Sequence, residues 1–122
     1  MKTIDNFEVY QLAMRIGDEV WETCTGWDDF LRRTIGSQLV RAADSIAANV
    51  SEGYGRYHFK DRRIYCYYSR GSSFETRTWL LKARKRGGIS EERLNNLLLL
   101  ISEFQLKLNG YIDSLNRQIR KK

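Results

Sequence analysis

Five arginines recur at intervals of seven residues in the middle of the chain. They are Arg56, Arg63, Arg70, Arg77 and Arg84, called here the arginine series. An α-helix turns about 100° per residue, so each step of seven falls about 20° short of two full turns, and the series forms one slowly drifting stripe. Because the guanidinium group is planar and always charged, such a stripe is suited to binding phosphate or carboxylate groups.

The charge of the chain is concentrated around this series. The chain carries a net charge of +6, but the segment from Arg56 to Arg86 holds ten Lys and Arg against only Asp61 and Glu75, which leaves the remainder at −2. Three interpretations stay open: the series binds nucleic-acid phosphates, pairs with acidic groups of another subunit or of the first helix, or keeps a solvated face soluble. The remainder has too few acids to neutralise the segment, which favours nucleic acid.

Four helices account for the pattern of apolar residues, and the chain contains no proline to interrupt them. We expect Asp5 to cap the first helix with Glu8 three residues later, Asp28 or Asp29 to cap the second, and Ser90 to cap the fourth. The predicted helices span about Asn6 to Cys24, Phe30 to Ser51, His58 to Lys85, and Ser90 into the C-terminal segment. Short connections between them predict an all-α, antiparallel up-and-down four-helix bundle, with residues 1–122 forming one domain.

The third helix has apolar or small residues on two faces. One band contains Tyr67 and Phe74 beside the arginine series, and the other contains Ser69, Thr76 and Leu80. Periodicity alone leaves open which band faces the core. A helix with two such faces is usually covered on both, so we expect a second subunit over one of them. The first helix carries a similar side stripe of Tyr10, Met14 and Trp21. We therefore predict a homo-oligomer whose interface includes Tyr10, Met14, Trp21, Tyr67 and Phe74.

Residues 37–56 read SQLVRAADSIAANVSEGYGR, which resembles the motif SQxxRAAxSIPxNIAEGxGR of the 23S ribosomal RNA intervening-sequence protein family. Downstream, Arg70-Gly71-Ser72 with Glu75 resembles the RGSxxE of this family, and residues 7–11 resemble its LEVWQ opening. The resemblance covers nearly the whole chain. One departure is Ala47, which stands where the family motif has proline, so this helix need not kink there.

The resemblance implies a homo-oligomer, with a pentamer as the expected number, whose basic surface contacts nucleic acid. A related branch is the accessory protein of diversity-generating retroelements, which implies a reverse transcriptase as a further partner. The resemblance also implies that the band of Ser69, Ser72, Thr76 and Leu80 is the intramolecular core. The family has no assigned catalytic residues, so none are expected here.

Enzymatic chemistry finds little support in the sequence. His58 is the only histidine, and a surface or capping role is favoured over general base catalysis; a histidine-assisted ribonuclease is the only enzyme class retained. Cys24 and Cys66 are far apart and cannot complete a tetrahedral zinc site with one histidine. The polar line of Gln38, Ser45, Asn49 and Glu75 is interpreted as a network that fixes helix register, with a ligand site as the alternative. We expect no cofactor and no metal.

These observations predict a non-enzymatic, cytoplasmic protein that binds nucleic acid, with RNA favoured over DNA. No stretch approaches the roughly 20 apolar residues that span a bilayer, and residues 1–7 carry no apolar signal run. The alternative function is a protein-interaction module, for example one that docks a reverse transcriptase. The predicted nucleic-acid contacts are Arg41, Arg56, Lys60, Arg63, Arg70, Arg77 and Arg84.

Overall fold

The computed structural model describes residues 3–121, and within that range it contains four long helices and no strand. The second helix, α2, covers 29–54 and consists of three consecutive segments, of which the middle one is π-helical. In chain order the elements are a 3-10 turn at Ile4–Asn6, α1 at Glu8–Thr25, α2 as Asp29–Leu31, Arg32–Gly36 and Ser37–Tyr54, α3 at Phe59–Lys85, and α4 at Glu91–Arg120. Met1, Lys2 and Lys122, which the one-domain prediction includes, lie outside the described residues.

The four helices form the predicted up-and-down bundle. Each helix packs on the next along the chain, and α4 also packs on α1, so the α1–α2 pair lies opposite the α3–α4 pair. The core is apolar and contains Ile16, Val20, Leu39, Ile46, Leu80, Leu97, Ile101, Phe104 and Leu108, all nearly inaccessible to solvent. No helix within residues 3–121 has both the length and the apolar character needed to cross a bilayer.

The helix ends agree with the predicted caps in two cases and differ in one. The Asp28 carboxylate accepts a hydrogen bond of 2.8 Å from the Leu31 backbone N–H, and the Ser90 hydroxyl accepts one of 3.1 Å from Arg93. The predicted Asp5 and Glu8 capping box is wrong, because Asp5 belongs to the 3-10 turn and α1 starts after Phe7, which makes no side-chain cap. The Phe7 ring packs against Tyr54 and Tyr111, so apolar burial sets this helix start.

The seam between α2 and α3 settles which face of α3 is internal. Ser69, Thr76 and Leu80 are buried, as the family resemblance implied, whereas Ser72 of that band is only half-buried. Ser73, which the implied band did not include, is also buried. The Ser69 hydroxyl donates to the Ile46 carbonyl over 2.8 Å, and the Ser72 hydroxyl donates to the Ser45 hydroxyl over 3.1 Å. Small side chains with satisfied hydroxyl groups let the two backbones come close together. The band with Tyr67 and Phe74 therefore faces outward.

Candidate nucleic-acid interface

Two members of the arginine series bridge α3 and α4. Arg63 Nη1 donates a hydrogen bond of 2.8 Å to Asn116 Oδ1, and Arg70 Nη1 donates one of 3.0 Å to Asn109 Oδ1. Asn109 and Asn116 are seven residues apart on α4, so the antiparallel helices repeat the same contact two turns further along. The arginines are thereby held along the α3–α4 seam.

The acceptors of these hydrogen bonds are neutral amide oxygens, and neither guanidinium forms an ion pair within residues 3–121. Arg70 is half-buried, and its guanidinium carbon lies 5.2 Å from the centre of the Tyr67 ring, which further restricts its position. Arg84 also meets a neutral acceptor, since its Nη1 donates to the Ile89 backbone carbonyl over 3.2 Å. The seam therefore presents oriented positive charges rather than ion pairs.

Arg56 differs from the other members of the series. It lies in the loop before α3, where Nη2 donates to Glu52 Oε1 and to the Tyr65 hydroxyl, each over 2.8 Å. The hydrogen bond to Glu52 raises the pKa of Arg56. Among the ion pairs formed within residues 3–121, Arg56–Glu52 is the one that involves the arginine series. Its charge is largely compensated locally.

Arg77 and Lys60 are exposed and have no ion-pair partner in the part of the chain that the structure describes. Arg77 is seven residues after Arg70, on the same side of α3. If the register of the Arg63–Asn116 and Arg70–Asn109 contacts continues, the residue of α4 opposite Arg77 is Ser102, which is uncharged. Arg63, Arg70, Arg77 and Arg84 together form one basic edge of the bundle.

Arg41 does not share this edge. It lies on α2 and lines a groove between α1 and α2 of about 500 Å³, together with Trp21 and Arg32. This groove is on the side of the bundle opposite the α3–α4 seam. This separation could not be predicted from the sequence, because Arg41 lies on a different helix whose orientation depends on packing.

The five predicted interface residues fall on two opposite sides of the bundle. Met14 and Trp21 are 43% and 61% exposed on the α1–α2 side, where Tyr10 is half-buried. Tyr67 and Phe74 are 42% and 54% exposed on α3, beside the arginine series. These side chains form two separate apolar surfaces rather than one.

The α1–α2 side also carries two neighbouring acids, Asp18 and Asp44. They line a shallow groove with Met14 and Gly17, and neither forms an ion pair within residues 3–121. Burial, together with the charge of Asp18, raises the pKa of Asp44. The α1–α2 side thus carries a small acidic area in addition to the arginines of the groove that contains Arg41.

Comparison with known proteins identifies the relatives of this bundle. Residues 5–110 match the family model described as 23S rRNA-intervening sequence protein. The chain belongs to this family. A crystal structure of a protein with unknown function from the S23 ribosomal protein family of Bacteroides thetaiotaomicron has the same fold, with a TM-score of 0.76 and 18% sequence identity. The similarity covers 85% of this chain and 97% of that one. No curated protein matches the chain.

The polar residues of the family motif bond mainly within their own helix and make one contact between helices. Asn49 Nδ2 donates to the Ser45 carbonyl over 2.9 Å, and Ser45 in turn accepts from Ser72 of α3. Glu75 Oε2 accepts from the Trp79 indole over 3.2 Å, and Gln38 is exposed. The Ser37–Tyr54 segment of α2 continues without a break through Ala47. The predicted network is therefore present only in part, as the Ser72–Ser45 contact between α2 and α3.

Groups with catalytic chemistry are scattered over the described residues. His58 is exposed at the start of α3, with its ring against Tyr57. Burial raises the pKa of both Cys24 and Cys66 from 9.0 to about 11, so neither thiol ionises at neutral pH. Within residues 3–121, no group of three or more His, Cys, Asp or Glu side chains is placed to hold a metal ion.

Four exposed or partly buried residues of α4 were not singled out in the sequence. Asn109 and Asn116 hold Arg70 and Arg63 by hydrogen bonds. Their spacing of seven residues on α4, which matches that of the arginines, is the feature of the sequence that could have identified them. Leu99 and Leu106 are 70% and 71% exposed on the outer side of α4. They are also seven residues apart, but in a helix so rich in leucine the sequence does not show which leucines are exposed to solvent.

Proposed function

We propose that this chain is a non-enzymatic, homo-oligomeric protein of the cytoplasm that binds the backbone of structured nucleic acid. The observation that carries this proposal is the basic edge of α3, where Arg63, Arg70 and Arg84 are held by neutral oxygens instead of carboxylates. Arginines positioned without charge compensation are available to phosphate groups and lose little side-chain freedom on binding. Lys60 and Arg77 extend the same surface.

The dimensions of this edge agree with a duplex ligand. From Arg63 to Arg84 the helix rises about 31 Å at 1.5 Å per residue, close to the 34–36 Å of roughly one duplex turn. No feature of the edge provides a set of base-reading groups, so we propose recognition of shape and backbone. The family description refers to intervening sequences of 23S rRNA, which supports RNA before DNA as the first ligand to test.

Self-association is the second part of the proposal. Tyr10, Met14 and Trp21 of one copy would pack against Tyr67 and Phe74 of the next, with Asp18 and Asp44 facing the basic side. Contacts between two different surfaces of identical subunits are head-to-tail and close into a ring when the rotation permits. We propose five subunits in this ring because the family resemblance implies a pentamer. Arg63 and Arg70 turn toward α4, so the series lies at the edge of this contact.

A protein-interaction module is the second candidate, and the exposure of Leu99 and Leu106 favours it. Two large aliphatic side chains, exposed by 70% and 71% and two helical turns apart, form an apolar surface suited to a partner protein. A reverse transcriptase is the partner that the family resemblance suggests. If this function is correct, replacing Leu99 and Leu106 with lysine abolishes binding of the partner protein and does not weaken nucleic-acid binding.

A gel-shift titration with structured RNA, duplex DNA and single strands at two salt concentrations tests the main proposal. We expect binding to weaken steeply as salt increases, because bound arginines displace counterions from the phosphates. Size-exclusion chromatography with light scattering on the same samples measures assembly separately. Absence of salt-dependent binding to every one of these ligands would overturn the proposal.

A further inference from the structure

The loop between α2 and α3 presents an unusually exposed aromatic side chain. Tyr57 is 86% exposed, the highest value among the large apolar side chains of the described residues. Its ring meets the His58 ring edge-on, with centroids 5.0 Å apart and an interplanar angle of 87°. Because 86% of the side chain is exposed, most of the Tyr57 ring surface is in contact with solvent.

A concavity of about 630 Å³ lies beside this ring. Its lining includes Tyr57, His58, Lys60, Arg62 and Ile119, together with Phe59 and Asp61. A volume of several hundred Å³ is typical of small-molecule sites and is sufficient for a nucleobase. One acid stands against two cations, so the concavity suits a ligand that is aromatic and negatively charged.

Arg62 gives this loop a defined shape. Its Nε donates to the Arg56 backbone carbonyl over 2.7 Å, and its guanidinium carbon lies 5.8 Å and 5.9 Å from the centres of the Tyr54 and Phe59 rings. These contacts fix the chain on both sides of Tyr57. The exposed ring is thus carried by an ordered loop and not by a loose one.

The loop continues directly into the basic edge. Arg56 precedes Tyr57 by one residue, and Lys60 and Arg63 follow in the first turns of α3. A backbone lying along the arginine series therefore reaches the concavity at the N-terminal end of α3. Aromatic faces next to cations are the usual means by which proteins hold unpaired bases of any sequence.

We propose that Tyr57 stacks on an unpaired nucleobase where a duplex bound along the arginine series ends in a single strand. This inference rests on the proposed function and narrows its ligand to a duplex with an adjoining single-stranded nucleotide. The phosphate next to the stacked base contacts Lys60. The protein thereby distinguishes the end or loop of a stem from a continuous duplex.

The test compares a blunt RNA duplex with the same duplex carrying a short single-stranded extension, measured by fluorescence anisotropy. The wild type is expected to bind the extended duplex more tightly. Tyr57→Ala should weaken binding to the extended duplex roughly 5- to 100-fold, the effect of losing one stacked base, and leave the blunt duplex unaffected. Tyr57→Phe keeps the ring and should keep the preference. Tyr68→Ala removes another exposed tyrosine, 56% accessible and packed on Tyr65, and serves as the matched control.

The Tyr57→Ala protein can overturn the inference in either of two ways. One is a Tyr57→Ala protein that still prefers the extended duplex. The other is a Tyr57→Ala protein whose oligomeric mass changes in light scattering, which would assign the ring to a subunit contact. Salt-dependent binding of the blunt duplex without any preference for the extension defeats this inference alone. Failure of both RNAs to bind defeats the proposed function as well.

Discussion

Arg70 and Asn109 are joined across α3 and α4 by a hydrogen bond of 3.0 Å in which the amide oxygen accepts from the guanidinium. Replacing this neutral acceptor by a carboxylate in Asn109→Asp compensates the arginine charge without removing the arginine. We expect the variant to bind nucleic acid more weakly, with the slope of log K against log salt reduced by about 1. Asn109→Ala is the control, since it frees Arg70 and leaves its charge available. Equal binding by both variants would show that Arg70 does not meet phosphate.

The three central arginines provide a direct measure of the basic edge. Replacing Arg63, Arg70 and Arg77 by glutamine should reduce the salt slope by up to about 3, at about 0.9 per phosphate contact. The control removes two positive charges elsewhere on the bundle by replacing Arg15 and Arg33 with glutamine, because both are exposed and paired with acids. A control protein that loses as much binding as the triple variant would argue for a diffuse effect of net charge.

Gly53 allows α2 and α3 to approach each other closely near the C-terminal end of α2. A Cβ at this position would lie 2.8 Å from the Tyr65 Cβ and 3.2 Å from the Arg62 carbonyl oxygen. Gly53→Ala is expected to lower the free energy of unfolding by about 1–3 kcal/mol, since two backbones must move apart. Gly110→Ala, where a Cβ meets nothing within 4 Å, should raise it by about 0.4–1 kcal/mol. Urea denaturation of the two variants checks the difference.

Assembly is expected to depend on the exposed stripe of α1. Met14→Lys places a positive charge in the surface proposed to face the basic side of the next subunit, and we expect a lower mass in light scattering with unchanged helical circular dichroism. Phe30→Lys is the control, because Phe30 is 74% exposed and lies outside the proposed contact. An unchanged mass for Met14→Lys would place the subunit contact elsewhere.

Stability should fall in alkaline solution because of the two buried thiols. Folding raises the pKa of Cys24 and Cys66 from 9.0 to about 11, so the unfolded chain releases these protons at a lower pH than the folded one. Their contribution is intact below pH 9 and is lost between pH 9 and about 11, at most about 3 kcal/mol for each thiol. Thermal unfolding at several pH values measures this loss. A Cys24→Ala and Cys66→Ala protein should show a flatter profile, and an identical slope would contradict the assignment.

The helices could be predicted because their signals are local. Asp28 and Ser90 cap helices through contacts three residues away, and the third helix ends at Lys85 as predicted, two residues before Gly87, whose φ is 76°. The start of α1 was missed because it depends on a tertiary contact, the burial of the Phe7 ring against Tyr54 and Tyr111. No local pattern contains that information.

The candidate site was predicted less completely for the same reason. The spacing of the arginine series correctly placed Arg63, Arg70 and Arg77 on one side of a helix. The groups that hold Arg63 and Arg70 are Asn116 and Asn109, which are separated from them by 53 and 39 residues in sequence. The position of Arg41 likewise required knowledge of which helices are neighbours.

The π-helical segment Arg32–Gly36 has a consequence for how the family can vary. A π turn contains one residue more than an α turn, so deleting one residue there restores ordinary helix without shifting the chain beyond it. Gly36 at its end packs against Trp27, where a Cβ would lie 3.4 Å from the ring. The widened turn is therefore the natural place for single-residue insertions and deletions between relatives, while the bundle downstream keeps its alignment.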